Sequence, residues 1–258
     1  MWRPPKVHSK KMEWSLVDTK HQVIYGKIPK AASTNWLHTI INLSGKVGVN
    51  FHNHCKDENI IHDRKFLEGI QLPSIPVFEA NCAGRLLCEF YTFLFVRHPF
   101  SRLLSAYRSK VNPGTSDLRF RENVRPKIVR ITRPKSYQDV EYIRFDEFIK
   151  YIIYEWKNGR ELNEHWRPMS ELSFPCQIQY DFIGKYEQLN EDSQSVLREA
   201  YGLKNPAPIM TGNPNRSSSS DMTSTMKQFK NVQREDKESL KEIYKYDFML
   251  FGYDMNEL

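Results

Sequence analysis

A lysine and two hydroxyl residues stand close together near the start of the chain, where an apolar run gives way to a helical pattern. The run Val23–Tyr25 fits a short buried strand, and Trp36 begins a series of apolar residues at helical spacing. A small-residue loop between a strand and a helix points backbone N–H groups and the positive end of the helix dipole at one place. Lys30, Ser33 and Thr34 add an ammonium group and two hydroxyls. The stretch therefore predicts a phosphate or sulfate site with these candidate ligands: Lys30, Ala31, Ala32, Ser33, Thr34 and Asn35.

This loop differs from the Walker A loop of nucleotide kinases. Walker A requires two glycines, with the lysine directly after the second one. No glycine lies between Lys27 and Ile41, and Lys30 comes before the helical pattern. Taken alone, the stretch is equally compatible with an ordinary strand-to-helix turn.

A second strand-to-helix transition supports the anion site. Residues 91–96 form a nearly continuous apolar run, which is typical of a buried strand, and Arg97 follows the run directly. Pro99 suits the first turn of a helix. Arg97 and Ser105, eight residues apart, can reach one anion from the strand end and from the second helical turn. The alternative for Arg97 is a local capping or pairing role.

Four stretches, in order along the chain, resemble one family. IPKAASTNW resembles the 5′-phosphosulfate loop of the Golgi carbohydrate sulfotransferases, and FVRHPFSRLLSAYRSK resembles their 3′-phosphate motif. The similarity is greatest to the group that contains the chondroitin, dermatan and HNK-1 sulfotransferases, and it extends to residues Asn163 to Glu187 and Tyr244 to Tyr253. The resemblance implies 3′-phosphoadenosine 5′-phosphosulfate as the donor and a hydroxyl of an acidic or neutral glycan as the acceptor.

Sulfuryl transfer needs a group that stabilises the leaving phosphate and a group that removes the acceptor proton. Lys30 is placed for the first task. A histidine suits the second near neutral pH, and we expect it to be His165, with Glu164 and His54 as alternatives. Arg167 is a candidate for contact with donor or acceptor anions. This scheme requires no metal ion.

The overall charge of the chain favours polyanionic partners. The 258 residues include 38 lysines and arginines against 31 acidic residues, a net charge of +7. Much of the excess falls between Arg119 and Lys135, where the candidates for acceptor binding are Arg125, Lys127 and Arg130. We interpret residues 112–137 as a long loop that lines a groove for an acidic glycan. A solvated surface loop is the alternative.

The alternation of apolar strands and amphipathic helices predicts an α/β fold, a central and mostly parallel sheet flanked by helices, with the donor at the carboxyl ends of the strands. By resemblance this is the P-loop-like sulfotransferase fold. Residues 1–20 are expected to form an extended lead-in to one domain over residues 21–258. Within that domain, residues 204–220 are rich in proline and serine and predict a flexible segment.

The family resemblance implies a Golgi enzyme behind an N-terminal membrane anchor. No apolar run in this sequence reaches the roughly 18 residues that span a bilayer, and the N-terminus lacks the apolar core of a signal peptide. We therefore expect that the family's anchoring sequence is missing from this chain.

The even number of cysteines would suit disulfides in an oxidising lumen, and buried thiols are the alternative. The cysteines are Cys55, Cys82, Cys88 and Cys176.

Two other functions are compatible with parts of the sequence. A nucleotide kinase could use a similar anion loop, but the Walker glycines and an evident magnesium-binding pattern are absent from the sequence. A non-catalytic module that binds glycans or nucleic acid could use the basic segment alone. The presence of Lys30, Arg97 and Ser105 together argues against a purely binding role, and we expect no nucleic-acid partner.

Overall fold

The computed structural model describes residues 14–45, 62–75, 80–112, 118–136, 142–207, 209 and 222–257. The chain forms two compact units. The first combines Met1–Arg97 with Met169–Pro214, and the second combines His98–Pro168 with Asn215–Leu258. Each unit has its own hydrophobic core.

A four-stranded sheet lies in the first unit, in the order β1-β2-β3-β4. Its strands are β1 (Ser15–Asp18), β2 (Val23–Gly26), β3 (Tyr91–Val96) and β4 (Phe182–Lys185). β1 pairs with β2 in the antiparallel direction, whereas β2–β3 and β3–β4 are parallel pairs. The carboxyl ends of β2, β3 and β4 therefore meet at one edge of the sheet. The predicted α/β class with a mostly parallel sheet is confirmed.

Helices occupy most of the remaining described chain. In chain order they are α1 (Ser33–Ser44), α2 (Arg64–Gly69), α3 (Ala80–Glu89), α4 (Pro99–Ala106), a π-helical turn (Tyr107–Val111), α5 (Leu118–Asn123), α6 (Arg125–Thr132), α7 (Phe145–Lys157), α8 (Met169–Ser173), a 3₁₀ turn (Tyr186–Gln188), α9 (Leu189–Glu199), α10 (Met222–Phe229), α11 (Arg234–Ile243) and α12 (Lys245–Phe251).

The core of the first unit is aromatic. Tyr25 of β2, Trp36 of α1 and Phe93 of β3 are fully buried. The rings of Tyr25 and Phe93 stack with centroids 5.0 Å apart, and Trp36 meets Phe93 at 4.6 Å. Rings in such offset or tilted pairs contribute about 0.5–1.5 kcal/mol beyond their buried area. This packing fixes α1 against the sheet, and with it the loop that joins β2 to α1.

The second unit is a helical assembly around α7. One face of α7 is apolar: Phe148, Ile149 and Ile152 are fully buried. Phe148 meets the ring of the buried Trp166 edge to face at 5.2 Å. α7 therefore supports the segment after Leu162, which carries one of the predicted site residues.

One expectation about the elements was wrong. Residues 118–132, expected within a loop, form α5 and α6 because Phe120, Ile128 and Val129 turn inward to the core of the second unit. Within the stretch expected as a lead-in, Ser15–Asp18 form β1, an edge strand of the sheet.

Candidate active site

The loop between β2 and α1 has an unusual backbone. Lys30 has a φ of +71° and Ala32 has a φ of +61°, in the left-handed region that residues other than glycine rarely adopt. Such conformations cost on the order of 1–3 kcal/mol each and persist where the surroundings fix them. Ala31 between them is fully buried, and its N–H donates to the carbonyl of Ile28 at 3.2 Å. The loop therefore holds the start of α1 in one defined position.

The first turn of α1 carries the predicted hydroxyl ligands. The first N–H groups of an α-helix have no carbonyl within the helix to bond, so this end favours anions. Ser33 is buried and Thr34 is half-buried at this end of the helix. The Thr34 hydroxyl lies 3.2 Å from Nε2 of His62, and the backbone carbonyl of Asn35 accepts a hydrogen bond from Thr39.

Arg97 lies at the same edge of the sheet as this loop. It follows the last residue of β3, and only 2% of its surface is exposed. Its Nη1 donates a hydrogen bond of 3.2 Å to the backbone carbonyl of Lys30, 67 residues away in the sequence. The structure thus brings Lys30 and Arg97 together, although their contact with a donor stays a prediction.

Tyr186 is a neighbour of Arg97 that the sequence analysis did not assign to the site. Its ring centroid lies 4.3 Å from the guanidinium carbon of Arg97. Tyr186 directly follows β4, at the end of the sheet where β3 also ends, and this proximity to Arg97 depends on strand register and has no local sequence signal.

Ser105 lies on α4, in the second unit, and is half-buried. α4 begins at Pro99, as the sequence predicted. The role of Ser105 as a second ligand for the 3′-phosphate stays a prediction.

His165 lies on a short segment between α7 and α8. Its Nδ1 is 2.9 Å from Oδ1 of Asn163 and 3.3 Å from a carboxylate oxygen of Glu164. Both oxygens accept hydrogen bonds, so Nδ1 carries the hydrogen and Nε2 holds the lone pair of the neutral ring. The ring of Phe120 meets the His165 ring edge to face at 5.4 Å. A neutral His165 ring in this position has its lone pair on Nε2, and its role as the general base stays a prediction.

Glu164 is ionised beside this histidine. Burial alone would raise the pKa of the Glu164 carboxyl, but the hydrogen bond and the charge of His165 outweigh it and hold the pKa below its ordinary value. A carboxylate at this position favours the protonated form of the ring. It can therefore stabilise an imidazolium formed by proton transfer to Nε2.

Buried groups of the second unit hold the His165 segment through its backbone. Arg102 of α4 donates to the carbonyls of Glu164 and Arg167 at 2.8 and 2.7 Å. The Tyr244 hydroxyl donates to the carbonyl of Trp166 at 2.6 Å. These supporting residues have no local sequence signal, because each contacts a segment that is distant in the chain.

Arg167, a predicted anion contact, has partners on the same segment. Its Nε donates to the carbonyl of Leu162 at 2.8 Å, and its Nη1 lies 2.7 Å from a carboxylate oxygen of Glu161. The Glu161 side chain is 77% exposed, so this ion pair is open to exchange with an external anion.

The basic segment divides into exposed and buried cations. Lys127 and Arg130 are exposed on α6. Arg125 is only 4% exposed, and its Nη2 donates to the carbonyl of Asn112 at 2.7 Å. Arg133 forms a bidentate pair with Glu147 at 2.7 and 2.9 Å. Of the three predicted acceptor ligands, Lys127 and Arg130 are therefore accessible to an acceptor. Arg125 is buried and holds the backbone at Asn112 instead.

Some predicted features fall wholly or partly outside the described residues. His54, Cys55 and most of residues 204–220 belong to this group.

Within the described ranges, no cluster of three or more histidine, cysteine or acidic residues could hold a metal ion. In the same ranges, Cys82, Cys88 and Cys176 form no disulfide. No helix in the described part of the chain is long and apolar enough to cross a membrane.

Comparison with known proteins identifies the class. The family model described as "Sulfotransferase family" matches residues 15–254. The chain therefore belongs to the sulfotransferase family. No solved structure matches it.

The similar curated proteins are named carbohydrate sulfotransferases. Carbohydrate sulfotransferase 11 of Rattus norvegicus is 34% identical over 247 residues, which cover 93% of this chain and 67% of the relative. Carbohydrate sulfotransferase 12 of Xenopus laevis is 30% identical, over 96% of this chain and 61% of the relative. Carbohydrate sulfotransferase 9 of Homo sapiens is 28% identical, over 92% and 52%. The prediction of an enzyme of the carbohydrate sulfotransferase type is confirmed.

Proposed function

We propose that this enzyme transfers a sulfuryl group from 3′-phosphoadenosine 5′-phosphosulfate to a hydroxyl group of a glycan. The observation that carries the proposal is the contact between Arg97 and the carbonyl of Lys30. It places a buried guanidinium and a loop lysine beside the N-terminus of α1, at the carboxyl edge of the sheet. Two separated anionic groups, such as the 5′-phosphosulfate and the 3′-phosphate of this donor, suit such a pair of sites.

In this proposal the loop binds the 5′-phosphosulfate. The ammonium group of Lys30, the N–H groups at the start of α1 and the hydroxyls of Ser33 and Thr34 donate to its oxygens. Ala31, Ala32 and Asn35 contribute their backbone to the loop that surrounds the 5′-phosphosulfate. Arg97 binds the 3′-phosphate, and Ser105 is proposed as its second ligand.

The chemical step exchanges one sulfur–oxygen bond for another. The bond between the sulfur atom and the bridging phosphate oxygen breaks, while the acceptor oxygen forms a new bond to sulfur. Lys30 stabilises the negative charge that grows on the leaving phosphate. Nε2 of His165 takes the proton of the acceptor hydroxyl, and Glu164 stabilises the resulting imidazolium. The products are a sulfated glycan and 3′-phosphoadenosine 5′-phosphate.

The acceptor is proposed to be a glycosaminoglycan or the glycan of a glycoprotein. Lys127 and Arg130 on α6 supply exposed positive charge for an acidic chain, and Arg167 can exchange its exposed partner for a substrate anion. The net charge of +7 supports the same class of partner. By the resemblance described above, we place the reaction in the Golgi lumen.

Replacing Arg97 by alanine tests the donor site. The change removes charged hydrogen bonds worth about 1.5–3 kcal/mol, which corresponds to roughly 10- to 150-fold in affinity. Calorimetry gives the affinities for adenosine 3′,5′-bisphosphate and adenosine 5′-monophosphate. Their ratio is the preference for the 3′-phosphate, and we expect Arg97→Ala to lose it. Arg85→Ala, which removes the same charge from an exposed position on α3, should keep the wild-type preference. The assignment of Arg97 is wrong if its alanine variant also keeps it.

The acceptor surface is tested by a double variant, Lys127→Ala with Arg130→Ala. We expect weaker binding to an unsulfated chondroitin polymer, a smaller dependence on salt concentration, and unchanged nucleotide affinity. Lys227→Ala with Lys230→Ala removes the same charge from exposed positions at α10 and serves as the control. Arg125→Ala should instead lower the melting temperature, because Arg125 is buried against the Asn112 carbonyl. Equal polymer binding by both double variants would remove α6 from the acceptor site.

A further inference from the structure

The ring of Tyr186 packs against the Arg97 side chain. The guanidinium carbon of Arg97 lies 4.3 Å from the centroid of the Tyr186 ring, a distance at which a cation is attracted to the π face. The same guanidinium donates through Nη1 to the carbonyl of Lys30. The Arg97 guanidinium is therefore held by the Tyr186 ring and by the Lys30 carbonyl.

The pairing of β3 with β4 creates this contact. Val96 and Lys185 are register partners at the ends of the two parallel strands. The next residues, Arg97 and Tyr186, leave the sheet side by side. The end of β4 is held in place because the N–H of Lys185 donates to a carboxylate oxygen of Asp192 on α9 at 2.6 Å.

A glycine allows the two strands to pack closely just before this point. A Cβ atom on Gly184 would come within 2.4 Å of the Phe95 ring. The ring of Phe95 thus occupies the space that a side chain on β4 would need. Any larger residue at position 184 would displace Phe95, one residue away from the Val96–Lys185 pair. The approach of Tyr186 to Arg97 is therefore built into the core of the first unit.

A stacked arginine differs from a mobile one in how it binds an anion. An arginine side chain loses rotamer freedom when it is fixed, and the ring and carbonyl impose that order before any ligand binds. Contact with the ring shields part of the guanidinium from water, and a guanidinium binds phosphate through charge-assisted hydrogen bonds. A phosphate placed there meets an arginine that is already ordered and partly desolvated.

We propose that Tyr186 is a positioning residue that preorganises Arg97 for the 3′-phosphate of the donor. This inference rests on the proposed role of Arg97 in the donor site. Tyr186 acts through its ring, and its hydroxyl is not required. The residue thereby contributes to the selection of nucleotides that carry a 3′-phosphate over those that lack one.

The experiment compares Tyr186→Phe and Tyr186→Leu with wild type. Calorimetry with adenosine 3′,5′-bisphosphate and adenosine 5′-monophosphate gives the preference of each protein for the 3′-phosphate. Tyr186→Phe should keep the wild-type preference, since it keeps the ring. Tyr186→Leu should reduce the preference by about 3- to 30-fold, the range expected for a desolvated cation–π contact, while affinity for the monophosphate stays unchanged.

The same substitutions in an Arg97→Ala background separate this inference from the proposed function. Without Arg97, Tyr186→Leu should cause no further loss of preference, because the two residues act on one interaction. If Arg97→Ala alone keeps the full preference, the proposed donor site is wrong. If Arg97→Ala loses the preference but Tyr186→Leu keeps it, only the role of Tyr186 is overturned.

Two further results would also overturn the role of the ring. One is an equal loss of preference for the 3′-phosphate in Tyr186→Phe and Tyr186→Leu, which would assign the effect to the hydroxyl. The other is an equal loss of affinity for both nucleotides in Tyr186→Leu, which would indicate general damage to the unit. Should Tyr186→Leu melt well below wild type, Tyr186→Met replaces it: this longer, flexible side chain fills more of the space without a π face, and the same drop in preference is expected.

Discussion

Replacing Lys30 by alanine is expected to lower the single-turnover rate at saturating donor by about 10²–10³-fold, the effect of removing one preorganised donor to a developing negative charge. Donor affinity should fall as well, because the ammonium group also contacts the ground-state phosphosulfate. Lys30 adopts a φ of +71°, and its backbone carbonyl accepts the hydrogen bond from Arg97. Alanine keeps that carbonyl. The variant therefore removes the amine and leaves the position of Arg97 intact.

A lysine at the other end of α1 provides the control for this prediction. The ammonium group of Lys20 donates to the carbonyl of Ser44 at 3.3 Å. Lys20→Ala removes the same charge and should leave the rate per folded molecule unchanged. Rapid-quench measurements with labelled donor give both rates. A Lys30→Ala enzyme that turns over like wild type at saturating donor would exclude Lys30 from the chemical step.

His165→Ala should lower the single-turnover rate by about 10²–10⁴-fold, the contribution of a positioned general base. The reason lies in the orientation of the ring: Nδ1 is bonded to Asn163 Oδ1, so Nε2 holds the lone pair. Donor affinity should remain at the wild-type value, because the base acts on the acceptor hydroxyl. This separates His165→Ala from Lys30→Ala, in which both quantities fall.

The pH dependence of the rate follows from the same geometry. A base must be unprotonated, so the wild-type rate should rise with pH through a single ionisation that His165→Ala lacks. The interaction with His165 lowers the pKa of the Glu164 carboxyl despite its burial. Glu164 is therefore charged at the near-neutral pH values at which the rate is expected to rise. Glu164→Gln removes that charge from beside the protonated ring, and the midpoint of the rate profile should move to lower pH.

His21 offers a matched control for His165, because its Nδ1 also contacts a carboxylate, that of Asp18 at 2.7 Å. His21 lies at the turn between β1 and β2, at the opposite edge of the sheet from Lys30. His21→Ala should keep both the rate and its pH profile. If His165→Ala keeps a near wild-type rate, the base lies elsewhere, and Glu164 and His54 are the next candidates.

The strongest sequence patterns predicted the central elements well. β3 spans Tyr91–Val96, as its apolar run indicated, and α4 begins at Pro99. Long buried runs and fixed backbone angles decide local structure almost alone. β1 was missed because Ser15–Asp18 is only four residues long and exists through its pairing with β2. α6 was misread because its charged residues obscured the buried pair Ile128 and Val129.

The same distinction applies to the candidate site. The loop around Lys30 and the position of Arg97 after β3 follow from local motifs, and both could be located in the sequence. The stacking of Tyr186 on Arg97 could not, because it depends on the register between strands that are far apart in the chain. The burial of Arg125 was likewise hidden, since its partner is the carbonyl of Asn112.

Transfer of labelled sulfate from the donor to a glycan is the most direct test of the central claim. Purified enzyme is incubated with 3′-phosphoadenosine 5′-[³⁵S]phosphosulfate and a panel of unsulfated glycosaminoglycans and glycoprotein glycans, with Lys30→Ala in parallel. We expect label in a glycan product together with an equal amount of 3′-phosphoadenosine 5′-phosphate, and formation of both products about 10²–10³-fold more slowly by Lys30→Ala. Release of the nucleotide with inorganic sulfate and no labelled glycan across the panel, at equal rates in both proteins, would contradict the account.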